Sequence, residues 1–372
     1  MPNKSNPLSF LDLVVLLLCL GAVIALLFPG IRGPVDNRRR THCAARVRFL
    51  AQAANIYEST KGHYPGYCND FGTFQRGTDP TNPRRVKPVR THRKIGTWVV
   101  SLLPYIDEQA IYETWTEDRY PIAFSEPNEY GVSNGIGGKG FSGPAISRIQ
   151  GLVCPSDERD YPSSNSYAAN TGMHPMTVIA DFAQSMAVPN GVFNNKFPGL
   201  DTKGRVVPVG NPVSSYDLKD GLSSTLLFSE NVNALPWHRA GRIDAIDLVK
   251  KDGQAEIRYP ITSRYAQGLV WHYEDDQNTL GANNVKAIHR INGVPAGLKT
   301  SAKDLIATQA NAFDLARPSS NHDHGANASL ADGATRFITE SIDYRVYQAM
   351  LTPHGQASNV PDVNFVEGML KQ

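Results

Sequence analysis

The sequence predicts an α+β fold: a long N-terminal helix, transmembrane at first and amphipathic beyond, packed on an antiparallel β-sheet with large loop insertions. Three observations predict it. An uncharged run, Leu13 to Phe28, stands near the start. Cys43, Val47, Leu50, Ala54 and Tyr57 then recur at steps of four, three, four and three, the spacing of one helix face. The remainder of the 372 residues, with 31 Gly and 25 Pro in the chain, breaks into short apolar runs between turn formers, which favours strands and loops over a helical bundle.

The first element is read over Leu8–Phe28, where Asp12 is the one charge. Crossing about 30 Å of hydrocarbon takes roughly 20 apolar residues. A buried core helix would carry a polar stripe, and this run has none. A cleaved secretory signal would end in a small-x-small site, whereas Pro29-Gly30-Ile31 stands here. The run is therefore expected to be a permanent anchor. Pro29-Gly30 and Gly33-Pro34 are expected to kink the helix past the span, making 1–36 an anchor with a connector and 37–372 the body. Lys4 precedes the span and Arg32, Arg38, Arg39 and Arg40 come after it, so the positive-inside rule by itself places the body in the cytoplasm.

In the body, the amphipathic helix should stop at Lys61-Gly62. Cys68 to Gly96 is basic, with Arg76, Arg84, Arg85, Lys87, Arg90, Arg93 and Lys94. Without interleaved aromatics it reads as a solvated loop ahead of an anion or polysaccharide contact. Trp98 to Trp115 reads as a helix broken near Pro104 and resuming. Leu152-Val153, Gly191-Val192-Phe193, Leu226-Leu227-Phe228 and Leu269-Val270-Trp271 read as short strands. Ala326–Ala331 and Ala334–Ile338 flank Asp332-Gly333 as a hairpin with a type I′ turn, and Ser341 and Asp343 open a last helix, Tyr344–Leu351.

A net charge of +2 gives no bulk field toward nucleic acid. Walker loop, dinucleotide fingerprint, His-Glu-x-x-His and CxxC patterns are all missing, so neither a cofactor nor a structural zinc site is expected. His322, His324 and Asp332 are the candidate metal ligands. His-x-His on a strand would share a face, and a hairpin could bring Asp332 near. The simpler reading makes Asp332-Gly333 the turn and gives His322 a hydrogen bond to Asp332 or its loop. Asp220-Gly221 with Ser223, Ser224, Thr225 and Glu230 lacks a nucleophile elbow and reads as a turn into a buried strand, with Glu230 paired inside the fold. Asp157 is a turn or cap residue. Cys19 lies in the span, and Cys43, Cys68 and Cys154 admit at most one intramolecular bridge.

The segment SSNHDHGANASLADGATRFITE sets His322 ten residues before Asp332-Gly333, an H-x9-DG pattern. Upstream, in order, stand Cys43 on its amphipathic helix, WVVSLLPYIDEQ, LVCPSD at Leu152–Asp157, SYAANTG at Ser166–Gly172, NGVF from Asn190 and DGLSSTLLFSEN at Asp220–Asn231. With these blocks the chain resembles the bacterial pseudopilin-like proteins of unknown function abundant in planctomycetes. The resemblance implies a type IV pilin-like N-terminal helix in the inner membrane and a body in the periplasm or at the cell surface. It implies the lipid bilayer as partner, with other pilin-like subunits or secretion machinery of the type II or type IV pilus kind. It marks Asp12, Cys43, Cys154, Asp220, Gly221, Glu230, His322, Asp332 and Gly333 as signature positions. Asp12 takes the place of the prepilin Glu, and Pro7 stands where the cleavage-site Gly would precede Leu8. Proline restricts itself and its predecessor, which disfavours processing between Pro7 and Leu8. Cys43 and Cys154 both stand in these blocks, which admits a bridge between them that spacing does not establish. Two rival roles remain, an anchored ligand-binding module using the long loops and an anchored metal-dependent hydrolase at His322, His324 and Asp332.

Overall fold

A computed structural model describes residues 10–74, 92–116, 147–159, 164–198, 208–238, 248–251, 254–257, 264–276, 284–308 and 310–365. Pro7 and Leu8, the Asp12 side chain, the side chains of 23–35 and the basic residues Arg76 to Arg90 lie outside the described residues.

Helix α1 runs Phe10–Lys61, with Pro29-Gly30 and Gly33-Pro34 inside its bounds. It stops where Gly62, at φ +77°, takes the left-handed conformation and its N–H bonds Glu58 O at 2.7 Å. That geometry belongs to a glycine just past a helix end. The two parts of α1 have opposite environments. Cys43, Val47, Leu50, Ala51 and Ala54 are fully buried against the sheet. Phe10, Leu11, Leu16 and Leu18, by contrast, are 65–82 % exposed. Among the described residues, no helix is long and apolar enough to cross a membrane.

A five-stranded sheet forms the centre. Its strands are β3 (Tyr167–Met173), β4 (Leu226–Glu230), β7 (Gly268–Trp271), β8 (Gly325–Leu330) and β9 (Thr335–Thr339), in the order β7-β3-β4-β8-β9. Two separate pairs, β1 (Asn69–Phe74) with β2 (His92–Gly96) and β5 (Leu248–Lys251) with β6 (Gln254–Ile257), lie outside it. The sheet is mixed rather than wholly antiparallel, because β7 runs parallel to β3 with Ala169 opposite Gly268 and Met173 opposite Trp271. Antiparallel neighbours can be joined by a tight turn, but a parallel one needs a crossover. Here β4 brings the chain back antiparallel to β3, and β7 then pairs with β3 on the side away from β4.

The sheet is covered on both faces. On one, Tyr167, Ala169 and Phe228 meet α1, Trp98 and Leu102 of helix α2 (Trp98–Leu102), and Trp237. On the other, Ala168, Leu226, Ala326 and Ala328 meet Tyr344, Tyr347 and Leu351 of the C-terminal helix Tyr344–Leu351. The small residues on β3 and β8 let the helices approach closely. Thr97 caps α2, accepting from Val99 N–H at 3.2 Å, and donates to Trp237 O at 2.7 Å. The chain then tightens at Leu103–Tyr105 around Pro104 and resumes as α3 (Gln109–Thr116).

Two expected strands are not strands. Leu152 ends a 3-10 turn, Gln150–Leu152. The segment Gly191–Phe193 gives the N–H groups of both Val192 and Phe193 to one acceptor, Asn170 O, at 3.3 and 2.9 Å, instead of building a ladder. Its block meets the SYAANTG block there. Gly172 sits at φ +79°, and a Cβ on it would lie 2.4 Å from Asn190 O and 2.7 Å from Gly191 Cα, so only glycine fits. The β8–β9 turn also differs from type I′. Only Gly333 takes a positive φ, +83°, and Gly333 N–H bonds Leu330 O while Leu330 N–H bonds Ala334 O, each at 2.9 Å. This is the pattern of a turn ending in a G1 bulge.

Candidate functional site

Four segments converge where α1 crosses the sheet. Cys43 comes from α1, and Cys154 from the loop after Gln150–Leu152. Glu230 is the last residue of β4, and His322 lies in the loop entering β8. All four are buried, from 0 % exposure at Cys43 to 8 % at His322. Cys43 and Cys154 form a disulfide across 111 residues of sequence. Cys154 Sγ lies 3.4 Å from Glu230 Oε1 and 3.6 Å from His322 Nε2. His322 Nε2 donates to Glu230 Oε1 at 3.1 Å, and its Nδ1 faces Ser156 Oγ at 3.5 Å.

The Glu230 carboxyl is held from β8 as well. Asn327 N–H donates to Oε2 at 2.6 Å, and Asn327 Nδ2 lies within 3.2 Å of both oxygens. A buried carboxyl is tolerated only when its acceptor sites are filled this way. Cys154 N–H bonds Ser166 Oγ, which bonds Asp157 Oδ2 at 2.7 Å, and Asp157 in turn pairs with Arg159. Arg46 of α1 donates to Val153 O beside the bridge. Burial, and then the neighbouring Glu230 charge, pushes the Tyr167 phenol well above its ordinary range, so it remains a neutral donor toward Cys43 O at 3.5 Å. A cavity of about 10 Å³, water-sized, adjoins the cluster and is lined by Cys154, Asp157, Ser166, Glu230 and Asn321.

Cys43, Cys154, Glu230 and His322 are thus brought together, while the constellation of His322, His324 and Asp332 is not formed. Neither histidine lies on β8. Both precede it, where His324 takes φ +63° and turns into solvent. Asp332 lies past the other end of that six-residue strand, roughly 20 Å away at about 3.3 Å per residue. There it accepts from Ala334 N–H at 2.8 Å and borders a shallow groove with Arg48, Gln52 and Asn55 of α1. His322 consequently pairs with Glu230, not with Asp332. Asp220 and Gly221 serve another junction. Asp220 Oδ2 accepts from Gly355 N–H at 2.6 Å, Asp220 N–H bonds Pro353 O, and Gly221 turns at φ +101° into β4. Burial raises the Asp220 pKa against that hydrogen bond.

A second cluster is one that the sequence does not announce. The parallel pairing of β3 with β7 sets His174 and His272, the residues after each strand, side by side with rings 4.7 Å apart. His289 stacks on His272 at 3.5 Å. Its Nδ1 bonds Glu274 at 2.9 Å and its Nε2 bonds Asp314 at 2.7 Å. Burial opposes charge on His289, but the bonds to Asp314 and Glu274 outweigh it and hold its pKa above the ordinary value. Burial, then the charge of His289, takes His272 well below. Burial, then Arg264, takes His174 to about 4. The arrangement is one imidazolium clasped by two carboxylates and stacked on the neutral His272 ring, with His174 beside His272. Four segments contribute these five residues, and apart from His272 and Glu274 no spacing along the chain connects them.

A family model described as a protein of unknown function (DUF1559) matches residues 37–345. No curated protein and no solved structure matches the chain.

Proposed function

The chain belongs to the DUF1559 family, whose function is unknown, and from that premise we propose that it is a membrane-anchored, pseudopilin-like protein of the cell envelope with a structural or interaction role. One observation carries the reading. Within a single helix, the face formed by Cys43, Val47, Leu50 and Ala54 is buried in the core while the large apolar side chains from Phe10 to Leu20 stand 49–82 % exposed, Val14 and Cys19 aside. An apolar surface of that extent, with Asp12 its one charge in sequence, is stable only when something apolar covers it, and a bilayer supplies the cover. The second half of the run, 23–28, continues it in sequence. The disulfide adds support for an exported body, since such bridges persist in oxidising compartments. On this reading the bilayer is the first partner. Other pilin-like subunits or secretion machinery would meet the outward face of α1.

Protease added to spheroplasts tests the topology: the body is expected to be digested while the N-terminal peptide is protected. A body that survives until the membrane is lysed would place it inside, as the arginine count has it, and end the reading. Mass measurement of the native N-terminus separates a plain anchor, starting at Met1 or Pro2, from a processed subunit starting at Leu8.

A further inference from the structure

The buried cluster has the composition and spacing of a soft-metal site. We infer that the reduced protein binds one divalent cation of the zinc class through Cys43 Sγ, Cys154 Sγ, His322 Nε2 and Glu230 Oε1, and that this bound state and the disulfide exclude one another. The four donor atoms already lie within 4.8 Å of one another, each on a buried residue. A tetrahedral zinc ion, with bonds of about 2.3 Å to sulfur and about 2.0–2.1 Å to nitrogen or oxygen, spaces its ligand atoms roughly 3.3–3.8 Å apart. Two edges of such a tetrahedron are present, 3.6 Å from Cys154 Sγ to His322 Nε2 and 3.4 Å from Cys154 Sγ to Glu230 Oε1, and a third, 3.1 Å from His322 Nε2 to Glu230 Oε1, is slightly short of it. Cys43 Sγ lies within 4.8 Å of the other donors, and the S–S bond holds the two sulfurs closer together than ligands of one ion stand.

The groups behind the donors suit the same role. Asn327 N–H holds Glu230 by Oε2, while Oε1, with Asn327 Nδ2 at 3.2 Å, lies 3.4 Å from Cys154 Sγ. Ligation by Nε2 requires the His322 proton on Nδ1, which faces Ser156 Oγ at 3.5 Å. Such partners orient metal ligands and fix the histidine tautomer. The adjoining cavity gives the Cys154 sulfur room to move once the bridge opens. In the redox step a dithiol reductant forms its own S–S bond, and its two hydrogens pass to Cys43 and Cys154 as the protein disulfide breaks. The cation then displaces both thiol protons to solvent. Either state clamps α1 to the sheet, so the junction holds in reducing and oxidising surroundings alike.

The test uses the full-length chain in detergent, as the oxidised form and after anaerobic reduction with a trialkylphosphine, which leaves as its oxide with oxygen taken from water. Each form is given zinc, exchanged into metal-free buffer and measured for metal content. Cobalt(II) replaces zinc in a parallel sample for absorption spectroscopy. One metal per reduced chain and none per oxidised chain is expected, with a thiolate-to-cobalt charge-transfer band and tetrahedral cobalt absorption. His322→Gln should weaken retention at least tenfold. Folded reduced chain without metal, equal binding by the oxidised form, or a cobalt spectrum lacking the thiolate band would overturn the assignment. Should the reduced chain unfold, zinc is expected to restore its circular dichroism, and failure to do so counts against the site. None of these outcomes bears on membrane anchoring, so the two proposals fail separately.

Discussion

Glu230 of β4 joins the Cys154 loop and the His322–Asn327 stretch through one side chain. It accepts from the Asn327 backbone, from the Asn327 amide and from His322, and it touches the Cys154 sulfur. Glu230→Ala would strand these donors in a place water cannot reach, and should lower unfolding stability by about 3–5 kcal/mol in urea titration. A loss within about 0.5 kcal/mol would mean that the donors find other partners. Gly172→Ala is a second residue-level case. Its left-handed φ and the 2.4 Å clearance to Asn190 O leave no space for a methyl group, so destabilisation of more than about 1 kcal/mol is expected in the same titration. Such roles were only partly legible in the sequence. That Glu230 pairs inside the fold could be anticipated from its place after LLFS, but not its partner, since His322 is 92 residues away. Gly172 carried no signal of its own, because the constraint comes from Gly191 across a loop.

At the level of elements, the outer half of α1 was the most legible part. Burial against a sheet imposes a 3.6-residue period on the sequence, and Cys43, Val47, Leu50 and Ala54 display it. Leu50→Ala should cost about 2–5 kcal/mol, the usual range for opening a cavity in a packed core, read as a lowered urea midpoint with unchanged slope. The short strands were harder. Leu226–Glu230 and Gly268–Trp271 are strands as expected, but Gly191–Phe193, equally apolar, is not. A three-residue apolar run records burial, and burial is common to strands and packed loops. The parallel placement of β7 depends on the order of strands in the sheet, which leaves no periodic mark. The histidine cluster at the ends of β3 and β7 was hidden for the same reason.

For the whole molecule, stability should depend on pH through that cluster. His289 has a folded pKa above its unfolded value near 6.5, so its contribution is complete below pH 6.5 and is lost as pH rises through the folded pKa. His174 and His272 have the opposite sign. They are buried neutral, so stability falls as pH drops below 6.5, for His174 down to about 4. Urea midpoints measured across pH should therefore fall on both sides. His289→Gln should flatten the alkaline arm and, by removing a positive charge beside His272 and His174, reduce the acidic one as well, whereas His174→Phe should reduce the acidic arm alone. An unchanged alkaline arm in His289→Gln would show that its carboxylate clasp does not hold the proton. The Cys43–Cys154 bridge acts on the same scale, since it closes 111 residues. Cys154→Ser should cost about 2–5 kcal/mol under oxidising conditions. The bridge itself was legible only through the ordered blocks that contain both cysteines, because a separation that long carries no pairing information.

The central claim, that α1 begins as a lipid-embedded tether for a disulfide-fastened body, is tested most directly by alkaline carbonate extraction of membranes from cells making the full-length chain. The chain should stay with the membrane pellet and be released only by detergent, while a version beginning at residue 37 should be released freely. Full-length chain in the carbonate supernatant would contradict the claim.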